Sequence, residues 1–376
     1  MKKHIYADNA ATTKLDIQAF EAMKPWILEE YGNASQPYSF SRKPKEALKQ
    51  ARETIAKCIN ATPEEIFFTS GGTESDNWVI KGGASSNYKH RATITSSFEH
   101  HAVLRSCEAI ERLGFPVAYM WPDKSGTITP ETLEAYITDE TFLVSVMFAN
   151  NEIGSIQPIK ELCRIAHNHG ALFHTDAVQA VGHVQIDVRD LEVDFLSSSA
   201  HKFNGPKGIG FLYIHKGADL VSYADGGAQE YGRRAGTENI AGIVGMAAAL
   251  NANCKELDKN MAHLRILETT LTSRLNSAGV LFSRNGGTNT LPGLLSLSFP
   301  GKSGESILHR LDLMGISVST GSACDSKNTE ISHVLQAIKL DEDFALGTVR
   351  ISFGKNNTVE EAEMIADALI KVVIKN

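Results

Sequence analysis

No apolar run in this 376-residue chain reaches the ~18 residues that a membrane-spanning helix needs. The N-terminus, Met1 to Asn9, has no apolar stretch of the kind that marks a secretory signal,. Cysteine is scarce. The five, Cys58, Cys107, Cys163, Cys254 and Cys324, are odd in number and contain no C-x-x-C pair. That excludes a secreted disulfide framework and leaves no structural zinc motif. Positive charge is not in excess either: 37 Lys and Arg stand against 44 Asp and Glu, a net charge of −7, which argues against a general nucleic-acid binder. Internal repeats and low-complexity tracts are absent. These absences lead us to expect a cytoplasmic protein with no membrane and no direct nucleic-acid partner. What is present is ordinary for a globular chain, with 42% hydrophobic and 22% charged residues,. At ~150 residues per domain the length suits two or three domains.

From about residue 60 to 215, short apolar runs alternate with helical stretches. The runs at 65–69, 92–95, 117–121, 142–148, 171–175, 194–198 and 210–214 read as seven strands. Between two of them, Ile159, Leu162, Cys163 and Ala166 recur at i, i+3, i+4 and i+7, which predicts an amphipathic helix over 159–169. A second helix is predicted near 45–59. Strands alternating with helices imply an α/β fold with a largely parallel sheet covered on both faces. The helical stretch after Gly236 is too long for one packed helix. The last hundred residues mix strands with helices and predict a smaller α+β unit.

Five segments carry candidate chemistry. In "TSGGTESDN" (69–77) two glycines turn a strand into a helix, whose free N–H groups and dipole would favour a phosphate; the same glycines would equally serve a plain tight turn. In "HTDAVQ" (174–179) Asp176 stands at the end of an apolar strand, where ligands of open parallel sheets bind. It reads either as a partner for a cationic nitrogen or as a helix cap. In "SSSAHK" (197–202) Lys202 directly follows a buried strand, an unusual place for lysine unless it is paired or reactive; the alternative is a lysine that snorkels to the surface. Cys324, in "GSACDS", is the one cysteine in a polar, turn-rich context. It is a candidate nucleophile or an incidental thiol. Arg350, among apolar neighbours in "TVRISF", wants a carboxylate or phosphate to grip in bidentate fashion, or else an internal salt bridge.

In this order the segments resemble the fold-type I pyridoxal-phosphate enzymes. Within them the chain is similar to the class V aminotransferase-like group, and most of all to cysteine desulfurases of the NifS/IscS kind. The resemblance also covers "YADNAATT" at 6–13, "YGNAS" at 31–35, "EHHAVL" at 99–104, "NNEIGSIQPI" at 150–159, "RRAGTEN" at 233–239 and "STGSACDS" at 319–326. It implies a large cofactor domain with a mainly parallel seven-stranded sheet over 15–258. A small α+β domain over 1–14 and 259–376 would carry the cysteine loop.

The resemblance further implies the cofactor pyridoxal 5′-phosphate and a role for each matching residue. Lys202 would hold the cofactor covalently and act as the base. Asp176 would pair with the ring nitrogen, and His100 would stack on the ring. Asn151 and Gln179 would flank the ring's phenolic oxygen. Gly72, Thr73, Ser199 and His201 would hold the phosphate, and Thr237 would hold that of a second copy in a homodimer. Arg350, with Asn33 and Asn151 nearby, would bind the carboxylate of L-cysteine. Cys324 would take the substrate sulfur as a persulfide, leaving L-alanine. An iron–sulfur scaffold or a tRNA-thiolation enzyme would then accept the sulfur. No metal is implied. A selenocysteine lyase, or another class V enzyme, is the alternative expectation.

Overall fold

The computed structural model describes residues 4–86, 92–320 and 331–374. Seven strands form the central sheet: β1 (Ile66–Thr69), β2 (Ala92–Ser96), β3 (Val117–Met120), β4 (Thr141–Ser145), β5 (Leu172–Asp176), β6 (Phe195–Ser199) and β7 (Gly210–Ile214). Each falls on a run predicted from the sequence. The spatial order is β1-β7-β6-β5-β4-β2-β3. All neighbours are parallel except around β7, which runs antiparallel to both β1 and β6. The short link from β6 to β7 explains that reversal, since a parallel crossover needs a dozen residues or more.

The apolar run at 142–148 outlasts its strand. β4 closes at Ser145, yet the Val146 N–H still reaches the His174 carbonyl (3.1 Å) and the Phe148 N–H that of Asp176 (2.8 Å). The run therefore follows the sheet out to the strand ends. Helix α1 (Arg42–Cys58) includes the predicted helix near 45–59. α2 (Gly72–Ser86) follows β1, and α3 (His101–Glu111) follows β2. α4 (Ile159–Asn168) buries the four positions that its periodicity singled out. The long stretch after Gly236 divides at Glu256 into α5 (Ile240–Lys255) and α6 (Leu257–Ser277).

The last third adds a three-stranded antiparallel sheet of β8 (Ser283–Asn285), β9 (Leu294–Ser298) and β10 (Thr348–Ser352), in the order β10-β9-β8. Its own core joins Leu295, Leu297, Val349 and Ile351 to Leu267 and Leu271 of α6, and to Ile365 and Leu369 of α7 (Val359–Ile374). Ile5 and Ala7 belong to this same core. The N-terminal segment thus enters through the smaller sheet. It bridges to β10 at Asp8 opposite Ser352, then crosses to the ends of the central strands, where the Thr13 N–H donates to the His201 carbonyl at 2.9 Å. Among the described residues no helix is long and apolar enough to cross a membrane.

Candidate active site

A cavity of about 370 Å³ opens at the carboxyl ends of β4, β5 and β6, the place where open parallel sheets bind ligands. Ten of the predicted residues line it: Gly72, Thr73, His100, Asn151, Asp176, Gln179, Ser199, His201, Lys202 and Arg350. Asn33 does not. Its side chain accepts a hydrogen bond from the Ser35 N–H (2.8 Å) in an exposed turn. Thr237 lies in a separate small cavity with Ser70, Arg234 and Asn239. Cys324 lies outside the described residues, but Ser319 and Ser332, on either side of its segment, both line the main cavity.

Lys202 does not snorkel. Its Nζ donates to the carbonyls of Ala10 (2.6 Å) and Ala11 (2.9 Å), so the N-terminal segment receives the amine at the cavity wall. Ala10 also accepts from Gln179 Nε2 (3.0 Å), and Thr12 Oγ1 meets His201 Nδ1 (3.1 Å). Asp176 is 5% exposed. Its Oδ1 accepts the Val178 N–H at 2.9 Å, a local turn bond that partly fulfils the capping reading, although no helix begins there. Burial pushes its carboxyl up to about 6, partly opposed by the nearby Lys202 charge. A cation placed against it would restore the charge.

His100 caps α3: its Nδ1 accepts the Ala102 N–H at 3.1 Å. Burial, with the charge of Lys202 second, lowers it to about 4. The ring is therefore neutral near pH 7, and the capping bond assigns the remaining proton to Nε2. His201 is lowered to about 4 for the same two reasons. Arg350 is 6% exposed. Its Nη2 donates to Asp8 Oδ1 and its Nη1 to the Asn151 carbonyl, each at 2.8 Å, while Nε is buried without a hydrogen-bond partner among the described residues. The internal salt bridge is thus formed, with Asp8, and the guanidinium also lines the cavity.

Several residues here went unassigned in the sequence. Asp8 fixes Arg350. Asp76, on α2, is 1% exposed, and burial together with Asp176 raises its carboxyl well above the ordinary range. His174 bridges three strands, bonding Ser145 Oγ (2.8 Å) and Ser197 Oγ (3.0 Å); burial lowers it to about 3. Glu99 accepts from Ser96 Oγ (2.5 Å) and from the Met147 N–H (2.9 Å), and burial raises it to about 8. His101 and His333 stack 4.9 Å apart on the cavity wall. Most of them stand inside the quoted motifs, so the available signal was a polar residue in a segment otherwise explained.

The residues present fit a cofactor with a cationic ring, an aldehyde and a phosphate. α2 spans 15 residues and offers its N-terminal N–H groups beside Ser199 and His201,. A Cβ on Gly72 would lie 2.4 Å from Val178 Cγ2, so the helix start can lie this close to the Asp176 turn only as glycine. An aldehyde would meet Lys202 and a ring nitrogen would meet Asp176, with neutral His100 on the same cavity wall.

The sheet order and this strand-end cavity define a fold-type I transferase. The chain belongs to the class V aminotransferase family, whose model matches residues 5–365. Among curated relatives, a cysteine desulfurase IscS of Dictyoglomus turgidum is 46% identical, covering 100% of this chain and 96% of that one. A putative cysteine desulfurase IscS 1 of Bacillus subtilis is 43% identical over 99% of both chains. A solved NifS-like protein superposes with a TM-score of 0.93 at 38% identity, covering all of both chains. SspA in complex with cysteine superposes at 0.83 with 37% identity, covering 94% of this chain and 100% of that one.

Proposed function

We propose that this chain is a pyridoxal 5′-phosphate-dependent cysteine desulfurase. It takes the sulfur from L-cysteine, releases L-alanine and carries the sulfur as a persulfide on Cys324. The observation that carries this reading is the meeting of Lys202, Asp176, His100 and Arg350 in one strand-end cavity. The cofactor, when bound, supplies an electron-withdrawing ring that stabilises negative charge at the substrate α-carbon. Lys202 holds it covalently at rest, then accepts the substrate α-proton on Nζ. Asp176 keeps the ring nitrogen protonated, and Asn151 and Gln179 hydrogen-bond at the ring's edge. Gly72, Thr73, Ser199 and His201 hold the phosphate. His100, neutral with its Nδ1 engaged in capping, has only Nε2 for proton exchange. Arg350 orients the substrate carboxylate, with Asn151 beside it.

The Cys324 thiolate attacks the substrate sulfur. An S–S bond forms as the Cβ–S bond breaks, and the electron pair left on carbon takes a proton to give alanine. The position of Ser319 and Ser332 on the cavity wall supports placing Cys324 at this reaction. That Thr237 lines a separate cavity and not the main one favours its serving a second copy, hence a homodimer. We also assign residues 15–258 to a large domain and 1–14 with 259–376 to a small one, supported by the core around Leu295, Leu297, Val349 and Ile351, while Ala10, Leu291, Leu294 and Val334 pack across that boundary into the core of the large domain. The acceptor is an iron–sulfur scaffold or a tRNA-thiolation enzyme in the cytoplasm. The test is to incubate the purified protein with L-cysteine and a reductant, assaying sulfide and alanine together. Equal amounts of both are expected. Turnover of selenocysteine with none of cysteine would make it a selenocysteine lyase, and turnover of neither would overturn the assignment.

A further inference from the structure

Away from the active site, two thiols meet at the ends of neighbouring helices. Cys58 is the last residue of α1, and Cys254 is the last but one of α5. The two helices pack side by side. Both cysteines are half-buried free thiols, and both line one surface cavity of about 310 Å³. Lys57 and Lys255 also line it, and no carboxylate does. The other described cysteines differ: Cys107 and Cys163 are buried, and burial raises both thiols. At the surface pair the two thiols are near enough to shift each other. Their interaction raises the Cys58 thiol, as burial does too, and lowers Cys254 against the effect of burial. Two neighbouring thiols flanked by two lysines around one cavity favour one thiolate in the pair,.

We propose that Cys58 and Cys254 form a reversible dithiol–disulfide couple that reacts with anionic low-molecular-weight disulfides and, once oxidised, joins α1 covalently to α5. The Cys254 thiolate attacks one sulfur of R–S–S–R. A new S–S bond forms as the old one breaks, and R–S⁻ leaves and takes a proton from water. Cys58 then loses its proton and attacks the Cys254 sulfur of the mixed disulfide, expelling the second R–S⁻. Two protein thiols are oxidised and one R–S–S–R is reduced to two R–SH, with no other reactant. The cavity beside the thiols accommodates the incoming group, and the two lysines favour carboxylate-bearing disulfides such as oxidised glutathione.

The cofactor-loaded protein, freed of reductant, is incubated with oxidised glutathione, quenched with acid and digested with trypsin without reduction. Cleavage after Lys57, Lys81, Arg234 and Lys255 isolates residues 58–81 and 235–255. The expected product is these two peptides joined, about 2 Da lighter than their sum, with two glutathione thiols released per chain. Dithiothreitol separates them. In Cys58→Ser the cross-link vanishes and glutathione stays on Cys254; in Cys254→Ser the cross-link vanishes as well. Separate glutathione adducts on Cys58 and Cys254 in the wild type, pairing of either with another cysteine, or no reaction at both would overturn the proposal.

Discussion

Replacing Arg350 by lysine separates the two duties of that side chain. The guanidinium spans two fixed partners, Asp8 Oδ1 and the Asn151 carbonyl, each at 2.8 Å. Alanine would abandon both and strand the Asp8 carboxylate, so lost stability would obscure lost binding. Lysine keeps one positive charge that can satisfy Asp8, but it cannot grip a second carboxylate with a planar fork. A bidentate, partly desolvated contact of this kind contributes on the order of 2–4 kcal/mol. With one point contact retained, the lower end applies, and about 2 kcal/mol corresponds to roughly 30-fold. The KM for L-cysteine and the inhibition constant for L-alanine should both rise by about that factor. Alanine carries the same carboxylate without the sulfur chemistry, so its constant reports binding alone. The visible absorption of the bound cofactor should stay as in the wild type. If both constants stay within about threefold of wild type while the thermal midpoint falls, Arg350 serves Asp8 and the carboxylate clamp lies elsewhere.

Cys324→Ala should bind cofactor and still change its visible absorption on addition of L-cysteine, yet yield neither persulfide nor catalytic alanine; mass spectrometry of the wild type should find the added sulfur on the Cys324 peptide. Sulfide at the wild-type rate from that variant would refute the proposed chemistry. Gly72→Ala should weaken pyridoxal phosphate binding, measured by equilibrium dialysis, because its Cβ would sit 2.4 Å from Val178 Cγ2 and such overpacking costs about 1–3 kcal/mol; adding Val178→Ala should recover most of the loss. Glu99 is raised from 4.5 to about 8 in the fold, so the native state holds its proton where the unfolded chain has lost it, and its contribution to stability falls as pH rises from 4.5 through about 8. Glu99→Gln should remove that slope. Relative to wild type, its stability to urea should improve by about 2–4 kcal/mol between about pH 5 and pH 8, and parallel pH curves would contradict the assignment.

Six of the seven strands were legible because they are buried on both faces, and continuous apolar runs flanked by turns are what such strands look like in sequence; β3, at the sheet edge, is only part-buried. Their pairing was less so. Nothing in "GFLYI" distinguishes the antiparallel β7 from its parallel neighbours, because direction is set by the length of the connection and not by side-chain pattern. At the site, Lys202 and Asp176 were visible as polar residues at the ends of apolar strands. Asp176 bonds its own turn, as a cap would, and also lines the cavity. The capping role of His100 was hidden because histidine is not among the preferred caps. Asp8 was hidden for a different reason: its partner, Arg350, is 342 residues away, and a pairing at that separation exists only once the N-terminal segment bridges to β10.

The distribution of protons explains why so acidic a cavity suits an anionic ligand. Asp8, Asp76, Glu152 and Asp176 line it, with Lys202 and Arg350 as the cationic side chains, and Glu99 lies buried behind. Were every carboxyl ionised, a phosphate and a substrate carboxylate would enter against net repulsion. The fold removes much of that charge by burial. Asp76 and Glu99 are pushed up because water cannot reach them. Among the described residues Asp76 Oδ1 and Glu99 Oε2 each lack a hydrogen-bond partner, which fits a carboxyl that keeps its proton. His174, beneath Asp176, meets the opposite demand. It stays neutral between two serine hydroxyls, so it adds no positive charge that would draw the ionisation of Asp176 away from a ring nitrogen. Asp8 is neutralised by Arg350. Of the buried trio Asp76, Glu99 and Asp176, only Asp176 has Lys202 among the charges that favour its ionisation. A cationic ring bound there would therefore complete a charge pair that the surrounding sheet leaves open, while a phosphate would meet the N–H groups at the start of α2 and neutral His201, the first-turn carboxylate of Glu74 being paired with Arg234.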